Sequence, residues 1–445
     1  MTTIRINKSG TVCRYVCAVA LLIGTSAAFA AAPEVSFVEM SQSASRQVMV
    51  KYRLSAPAVV TLDIQTNFVA NGETRWASIG GENLGHVVGD VNRLVTESGV
   101  HTNYWFPDKA WPNHRIPNDG ARAVVTAWAP DAPPDWMLVD LATKSNVTYY
   151  ASVEALPYGH PTNAAYKTQA ILFRKMPAAG RSFRMGITRG EATQDFTAGG
   201  QFSGTSEFAS LDSRAPSHLV SFTNDFYMSV FQFTDGHYFT MNGSWASGHA
   251  ASYKAAPHDM CPRTEISFNG LRGTPTADHY DWPKHAHEVS PTSELGKLRA
   301  YTGVEVDLPT EAQWEFACRA GEGRWRYDGA STCAADGADK ICWYSCTGTI
   351  YENPVGMKEP NAWQLYDMYG NGHQLCLDWF AMGYADCGAI EPTGPVVSPQ
   401  SKRVVRGHPS HYDIRYMASM LRPIWDPSNS HKWLTYRLAA PAVAK

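Results

Sequence analysis

The residues of this chain best suited to redox or metal chemistry are its nine cysteines and fifteen histidines, and their spacing decides what they could do. Seven cysteines lie beyond residue 30: Cys261, Cys318, Cys333, Cys342, Cys346, Cys376 and Cys387. Cys333 with Cys342 or with Cys346 would close a small loop, and buried free thiols are the alternative, because spacing does not fix connectivity. Cys342 and Cys346 stand as C-x3-C without a second pair, which falls short of a zinc pattern. Five histidines crowd one polar stretch: His249, His258, His279, His285 and His287. His285-Ala286-His287 would set two imidazoles on one face of a strand. No carboxylate or cysteine completes a ligand spacing, so solvated loop histidines are the simpler reading. A third set lies near the C-terminus: His411, Tyr412, Arg415, Tyr416, Trp425, His431 and Trp433. Tyr, Trp and Arg carry most recognition surfaces, so these seven are expected to form a ligand-binding face, with core placement the alternative for the two tryptophans.

The element that must hold such residues in place is the run Asp307 to Gly321, DLPTEAQWEFACRAG. Thr310 stands at an N-cap position with Gln313 three residues on, so each can cap the other's amide. Glu311 adds negative charge to the first turn, and Arg319 adds a positive one to the last. Trp314, Ala317 and Cys318 recur at helical spacing and predict one apolar face, with Gly321 as the terminating glycine. A second helix is expected over 293–302, ended by Gly303.

The rest of the chain divides by pattern. Composition is globular, with 44% hydrophobic and 18% charged residues, and a net charge of −3 leaves no basic footprint for nucleic acid. Arg5, Lys8 and Arg14 followed by the short apolar run Val16–Ile23 and Ala28-Phe29-Ala30 predict a cleaved export signal over 1–30. A membrane anchor needs about 20 apolar residues, and no run in the chain is that long. From 33 to 156 apolar residues alternate: Val48, Val50, Tyr52 and Leu54, then Val60, Leu62 and Ile64. With further strands over 123–128, 136–141 and 147–153, and turns at Asn71-Gly72 and Asn118-Asp119-Gly120, this predicts an immunoglobulin-like β-sandwich acting as a spacer or docking module. A linker is expected over 157–180 and a second, larger domain over 181–440.

That second domain resembles the formylglycine-generating-enzyme (sulfatase-modifying-factor) family. LPTEAQWEFACRAG looks like its signature helix, and companions follow the family's order: FRMG (183–186), HLVSFTNDFYMSVFQFTDGHY (218–238), PVG (354–356), PNAWQLYDMYGN (360–371), CLDWF (376–380), RVVRG (403–407) and YRLA (436–439). The resemblance covers roughly 260 residues, the size of one large domain. It implies an α+β, C-type-lectin-like fold with long irregular loops, and it makes Cys318 with Cys376 the first candidate disulfide, since both lie on signature segments.

The resemblance also sets a chemical test. The family's oxidising enzymes hold copper(I) between two thiolates just after an R-G-G-S-[WY] turn, because a soft ion selects soft ligands. Here the matching segment begins Arg406-Gly407-His408 and continues to Met417, and no cysteine occurs after Cys387. His408, His411 and Met417 are the weak candidates left for catalysis, and copper is not expected. The family's calcium segment G-N-V-W-E-W reads Gly370-Asn371-Gly372-His373-Gln374-Leu375, so Asn371 and a neutral Gln374 would form at most a weakened calcium site. The iron-dependent branch is not supported, because no H-x3-H-x-E precedes the domain. The expectation is therefore an exported protein, periplasmic, cell-surface or secreted. It would be a non-catalytic or altered homologue that binds a peptide, protein or glycan partner through its C-terminal loop face. The alternative is a metal-dependent protein-modifying oxidase acting on a sulfatase-like protein.

Overall fold

Alternation of buried and outward side chains shapes the N-terminal part. A computed structural model describes residues 32–43, 45–117, 119–188, 217–246, 258–274, 289–329, 337–347, 352–384, 388–395, 398 and 400–445. After β1 (Val35–Gln42), β2 (Val48–Leu54) buries Val48, Val50, Tyr52 and Leu54 and leaves Met49, Lys51 and Arg53 on its other face. β3 (Ala58–Ala70) turns into β4 (Glu73–Ser78) through Asn71 and Gly72, whose φ values of 54° and 79° suit a tight hairpin. β1, β2, β7 (Gly99–Trp105) and β5 (Val87–Val88) make one antiparallel sheet. β3, β4, β6 (Arg93–Val95) and β8 (Ala121–Trp128) make a second. The two sheets share a core in which Val50, Tyr52, Leu62 and Val125 meet.

The next sheet begins earlier than the sequence pattern suggests. β9 (Trp136–Asp140) and β10 (Asn146–Tyr150), expected inside the first module, lie instead in one sheet with β11 (Ala170–Met176), β14 (Phe226–Ser229) and β19 (Ala439–Pro441), in the order β10-β9-β11-β14-β19. The physical reason is burial on both faces. Met137 and Val139 enter one core while Trp136 and Leu138 enter another, and a strand apolar on both sides belongs inside. β11 is the middle strand of this five-stranded sheet, so the stretch 157–180 is a spine rather than a linker. Val59 and Trp128 from the first sheets pack on the same core as Met137, and Pro33–Lys445 forms a single compact unit.

Beyond it stand the two-stranded pair β12 (Ser182–Met185) and β13 (His218–Ser221), and a four-stranded sheet. That sheet joins β15 (His373–Trp379), β16 (Arg403–Arg406), β17 (Ile424–Trp425) and β18 (Leu434–Thr435). Among the described residues, three helices of eight or nine residues stand beside these sheets in the mixed α+β fold: α1 (Asp235–Asn242), α2 (Glu294–Thr302) and α3 (Glu311–Arg319). α2 starts at Ser293, whose hydroxyl accepts from the Gly296 amide at 3.1 Å, and ends at Gly303 with φ 75°. In α3 the capping box is formed: Gln313 N–H donates to Thr310 Oγ1 at 3.1 Å, and Thr310 N–H donates to Gln313 Oε1 at 3.0 Å. Its end departs from expectation, because Ala320 (φ 47°), not Gly321, takes the left-handed cap position. More important, α3 is buried all round except at Gln313, so its charged side is as deep as its apolar side.

Candidate functional site: a ring-lined face over a buried ion cluster

The charged side of α3 explains itself through two arginines brought from the C-terminal segment. Arg406, at the end of β16, donates to Glu311 Oε1 at 2.6 Å and to Glu315 Oε2 at 2.9 Å. Arg422 grips both oxygens of Glu311, at 2.5 and 2.7 Å, and Arg319 holds Glu315 at 2.8 Å. All five side chains are essentially excluded from water. Burial opposes charge on Glu311, but the Arg422 and Arg406 guanidiniums outweigh it and hold the carboxyl below its ordinary value. Asp378 of β15 accepts the Glu311 amide at 2.6 Å at the start of α3. Burial and the nearby Glu311 carboxylate push it up to about 7. Gln374 knits the same floor: its Oε1 accepts from Trp314 Nε1 at 2.9 Å and from Arg437 Nε at 3.0 Å, and its Nε2 donates to the Asp367 carbonyl at 2.9 Å.

On this floor the chain builds a face of rings. Antiparallel pairing of Gln374 with Arg406, and parallel pairing of His373 with Leu434, bring three distant segments together. His373 sits lowest, 5.2 Å from His408 and within 6.0 Å of Tyr412 and Trp425, centroid to centroid. His411 lies 3.8 Å from Trp433, His431 4.7 Å from Trp433 and 5.4 Å from Trp425, and Tyr412 5.1 Å from Tyr416. A short turn over Ile414–Tyr416, capped by Asp413, presents the tyrosines. His411, Tyr412, Tyr416, Trp425, His431 and Trp433 are half-buried, neither core nor fully solvated. Among the described residues, Nδ1 of His373, Nδ1 of His411 and Nε1 of Trp433 have no hydrogen-bond partner. Burial, then the neighbouring imidazoles, drive His373 well below the ordinary histidine value. Burial and Lys432 lower His411 and His431 in the same direction, so this face carries neutral imidazoles at pH 7.

Of the seven residues expected on a binding face, the structure gathers six; Arg415 instead turns its guanidinium to Asp413 at 2.8 Å. His373 belongs to the same cluster and was not anticipated. Its signal was the imidazole standing where the family segment has a large ring. The metal candidates fare differently. His408 joins the rings, His411 lies tilted against Trp433 at 3.8 Å, and Met417 is buried in the core cluster that includes Trp314. Among the described residues no three His, Cys, Asp or Glu side chains are placed to hold a metal ion. The calcium expectation fails on its donors. Both Gln374 lone-pair directions are taken by N–H groups, and Asn371 Oδ1 accepts the Asn353 amide at 2.7 Å. The Arg437 guanidinium, bonded to Gln374 Oε1, puts a positive charge beside that oxygen, so these two side chains do not fit calcium.

The cysteine expectations also change. Cys318 and Cys376 are separate free thiols, one facing Tyr369 from α3 and the other buried in β15, and burial pushes Cys318 up to about 12 and Cys376 well above its ordinary value. Cys342 and Cys346 are free as well; Cys333, like His249, His279, His285 and His287, lies outside the described residues. None of these thiols is on the C-terminal segment itself, which has no cysteine after Cys387.

Fold and site together define a mixed α+β domain in which a buried helix clamps two C-terminal arginines beneath an irregular face. The chain belongs to the sulfatase-modifying factor enzyme 1-like domain family, whose pattern matches residues 188–442, more than half of it. It is similar to the formylglycine-generating enzymes of Streptomyces coelicolor (32% identical over 110 residues, 22% of this chain and 34% of the relative) and Bos taurus (30% over 148 residues, 30% and 38%). It is also similar to the serine/threonine-protein kinase pkn1 of Chlamydia pneumoniae, 35% identical over 101 residues, 22% of this chain and 15% of the kinase. The chain thus spans little more than a third of these relatives at most. Among solved structures, PvdO from Pseudomonas aeruginosa aligns over 60% of this chain and 94% of its own, at 19% identity and a TM-score of 0.44. The Treponema denticola variable protein 1 aligns over 61% and 95%, at 19% and 0.41.

Proposed function

We propose that this chain is a non-catalytic member of its family, exported, that holds a peptide, protein or glycan partner on the ring face around His411 and Trp433. One observation carries the reading. Where the family's soft-metal chemistry requires two thiolates, this chain presents a continuous set of half-buried aromatic and neutral imidazole rings with unpartnered polar atoms. Rings of this kind give large contact area at low entropic cost, and polar atoms between them give direction to hydrogen bonds. No helix among the described residues is long and apolar enough to cross a membrane, which suits passage through one behind a cleaved leader.

The test has two arms. Purified chain loaded with copper(I) is incubated with a cysteine-containing sulfatase peptide, and mass spectrometry is used to look for the aldehyde. The same chain and its Trp433→Ala variant are applied to printed glycan and peptide arrays. The expected result is no aldehyde, together with an array signal that the variant loses. Stoichiometric copper with aldehyde formation would overturn the reading in favour of a protein-modifying oxidase, and array binding unchanged by Trp433→Ala would remove the ring face as the binding surface.

A further inference from the structure

The rings of the upper face form a row. From Trp425 the centroids step 5.4 Å to His431, 4.7 Å to Trp433, 3.8 Å to His411, 4.8 Å to Tyr412 and 5.1 Å to Tyr416. No neighbouring pair lies flat together, for in the same order the planes are turned by 60°, 57°, 40°, 64° and 88°. All six rings are half-buried, and all come from the described stretch 400–445. This herringbone limits what can lie on it. Each inner ring has a ring neighbour on either side, so its faces are shared rather than left bare for a flat ligand such as a pyranose to stack on. Two planes set at such angles bound a wedge instead, which suits a small, rigid apolar ring.

Hydrogen bonding and charge narrow the occupant further. Trp425 gives its Nε1–H to the Asn429 carbonyl at 3.0 Å. Nε1 of Trp433 and Nδ1 of His411, on the two rings closest together, are shut off from water with no partner among the described residues. A buried N–H without an acceptor costs free energy that an incoming carbonyl recovers. The carboxylates next to the ring residues in sequence, Asp413 and Asp426, are held by Arg415 and Lys402 at 2.8 and 3.0 Å, and the Lys432 ammonium lies 5.4 Å from the Trp433 centroid. A basic ligand is therefore poorly served. β17 and β18, at the two edges of the sheet beneath, are two residues each, too short to seat an added strand. We propose that the row takes an uncharged proline-rich segment in the polyproline II conformation, its pyrrolidine rings wedged between tilted rings and a carbonyl on the Trp433 indole N–H. This rests on the ring face being the binding surface, and names what it binds. Such a segment has no internal hydrogen bonds, so its carbonyls are free to accept, and its shape is set before it docks against aromatic rings. The row spans at most about eight of its residues, at a rise of ~3.1 Å each.

The experiment is fluorescence anisotropy with the full chain and a labelled peptide of about eight prolines between glycines, free of charge and of cysteine. Three further probes accompany it: the same peptide with alanine at every second proline, the same with alternating D-proline, and a neutral β-linked glucose hexasaccharide as competitor. The all-L-proline peptide is expected to bind, and the alanine and D-proline exchanges should each weaken it by about tenfold or more, because they remove the wedges or the preformed helix. Trp433→Ala and Tyr412→Ala should each cost about tenfold, whereas Trp433→Phe, which keeps a ring but loses the N–H, should cost only about threefold. A melting curve checks the fold of each variant, and Tyr412→Ala keeps the test decisive should Trp433→Ala unfold. Absence of binding by the proline peptide, or equal binding of its D-proline form, would overturn the proposal. Binding of the saccharide in its place, lost in Trp433→Ala, would overturn it while leaving the ring face as the binding surface. Proline-peptide binding indifferent to both Trp433→Ala and Tyr412→Ala would remove the ring face as well.

Discussion

Arg406 and His408 are two residues apart, yet they belong to opposite regimes. Below, every charge of Glu311, Glu315, Arg406 and Arg422 is buried and matched by an opposite charge within hydrogen-bonding distance. Above, rings touch rings, and several nitrogens have no partner among the described residues. The lower layer cannot lose a member without stranding a charge in a dry interior, which is far costlier than the net worth of the pair. The upper layer has no such obligation, because a half-buried ring exchanged for another ring leaves no charge uncompensated. This contrast shows why the scaffold motifs of the family stay legible here while its metal-binding positions do not.

The comparison can be broken most severely from below. Arg422→Ala strips Glu311 Oε2 of its guanidinium donor and leaves Oε1 to Arg406 alone, and should cost about 3–5 kcal/mol in urea unfolding. A loss under about 1 kcal/mol would mean that the cluster is not the fixed floor described here. The next test uses pH. His373 titrates well below its unfolded value, so between the two values the unfolded chain binds more protons. Stability should be full above about pH 6.5 and fall as pH drops below it, with a slope approaching about 1.4 kcal/mol per pH unit for each proton excluded. His373→Phe should flatten that acid limb, and an unchanged slope would place the titration elsewhere. Thr310→Ala removes one half of the capping box and should cost about 1 kcal/mol in the same unfolding measurement.

Two smaller effects sharpen the upper layer. Lys432→Ala should raise the histidine titrations of His411 and His431 toward their ordinary value, because that ammonium depresses both. Proton NMR reads this directly, and overall stability should move by no more than about 0.5 kcal/mol. Thiol labelling of the native chain should reach exposed Cys346 quickly, and Cys318 and Cys376 only after unfolding. Resistance of Cys318 and Cys376 to labelling even after unfolding would restore the disulfide expected between them.

Local signals in the sequence carried a long way. Thr310 with Gln313, Ser293 with Gly303, and the period-two run Val48–Leu54 each specify an element through contacts within a few residues, and each formed where expected. Family membership was equally readable, since its motifs are short and kept in order. What failed was everything decided by distant partners. β9 and β10 looked like ordinary sandwich strands until β11 paired along the free edge of β9 and distant residues packed on both of its faces. Glu311 was legible only as first-turn charge, and its burial with Glu315 was decided by Arg406 and Arg422, which come from about a hundred residues away.

The amino-acid sequence by itself determined that a thiolate pair is missing from the C-terminal segment, because a segment without a cysteine after Cys387 cannot present two thiolates. Only the tertiary structure decided what stands in their place. Sheet pairing across some sixty residues sets His373 beneath the rings of the C-terminal loops, and burial keeps it neutral. The same packing occupied the oxygens of Asn371 and Gln374 with N–H donors, a matter of which groups meet in space that no local pattern encodes.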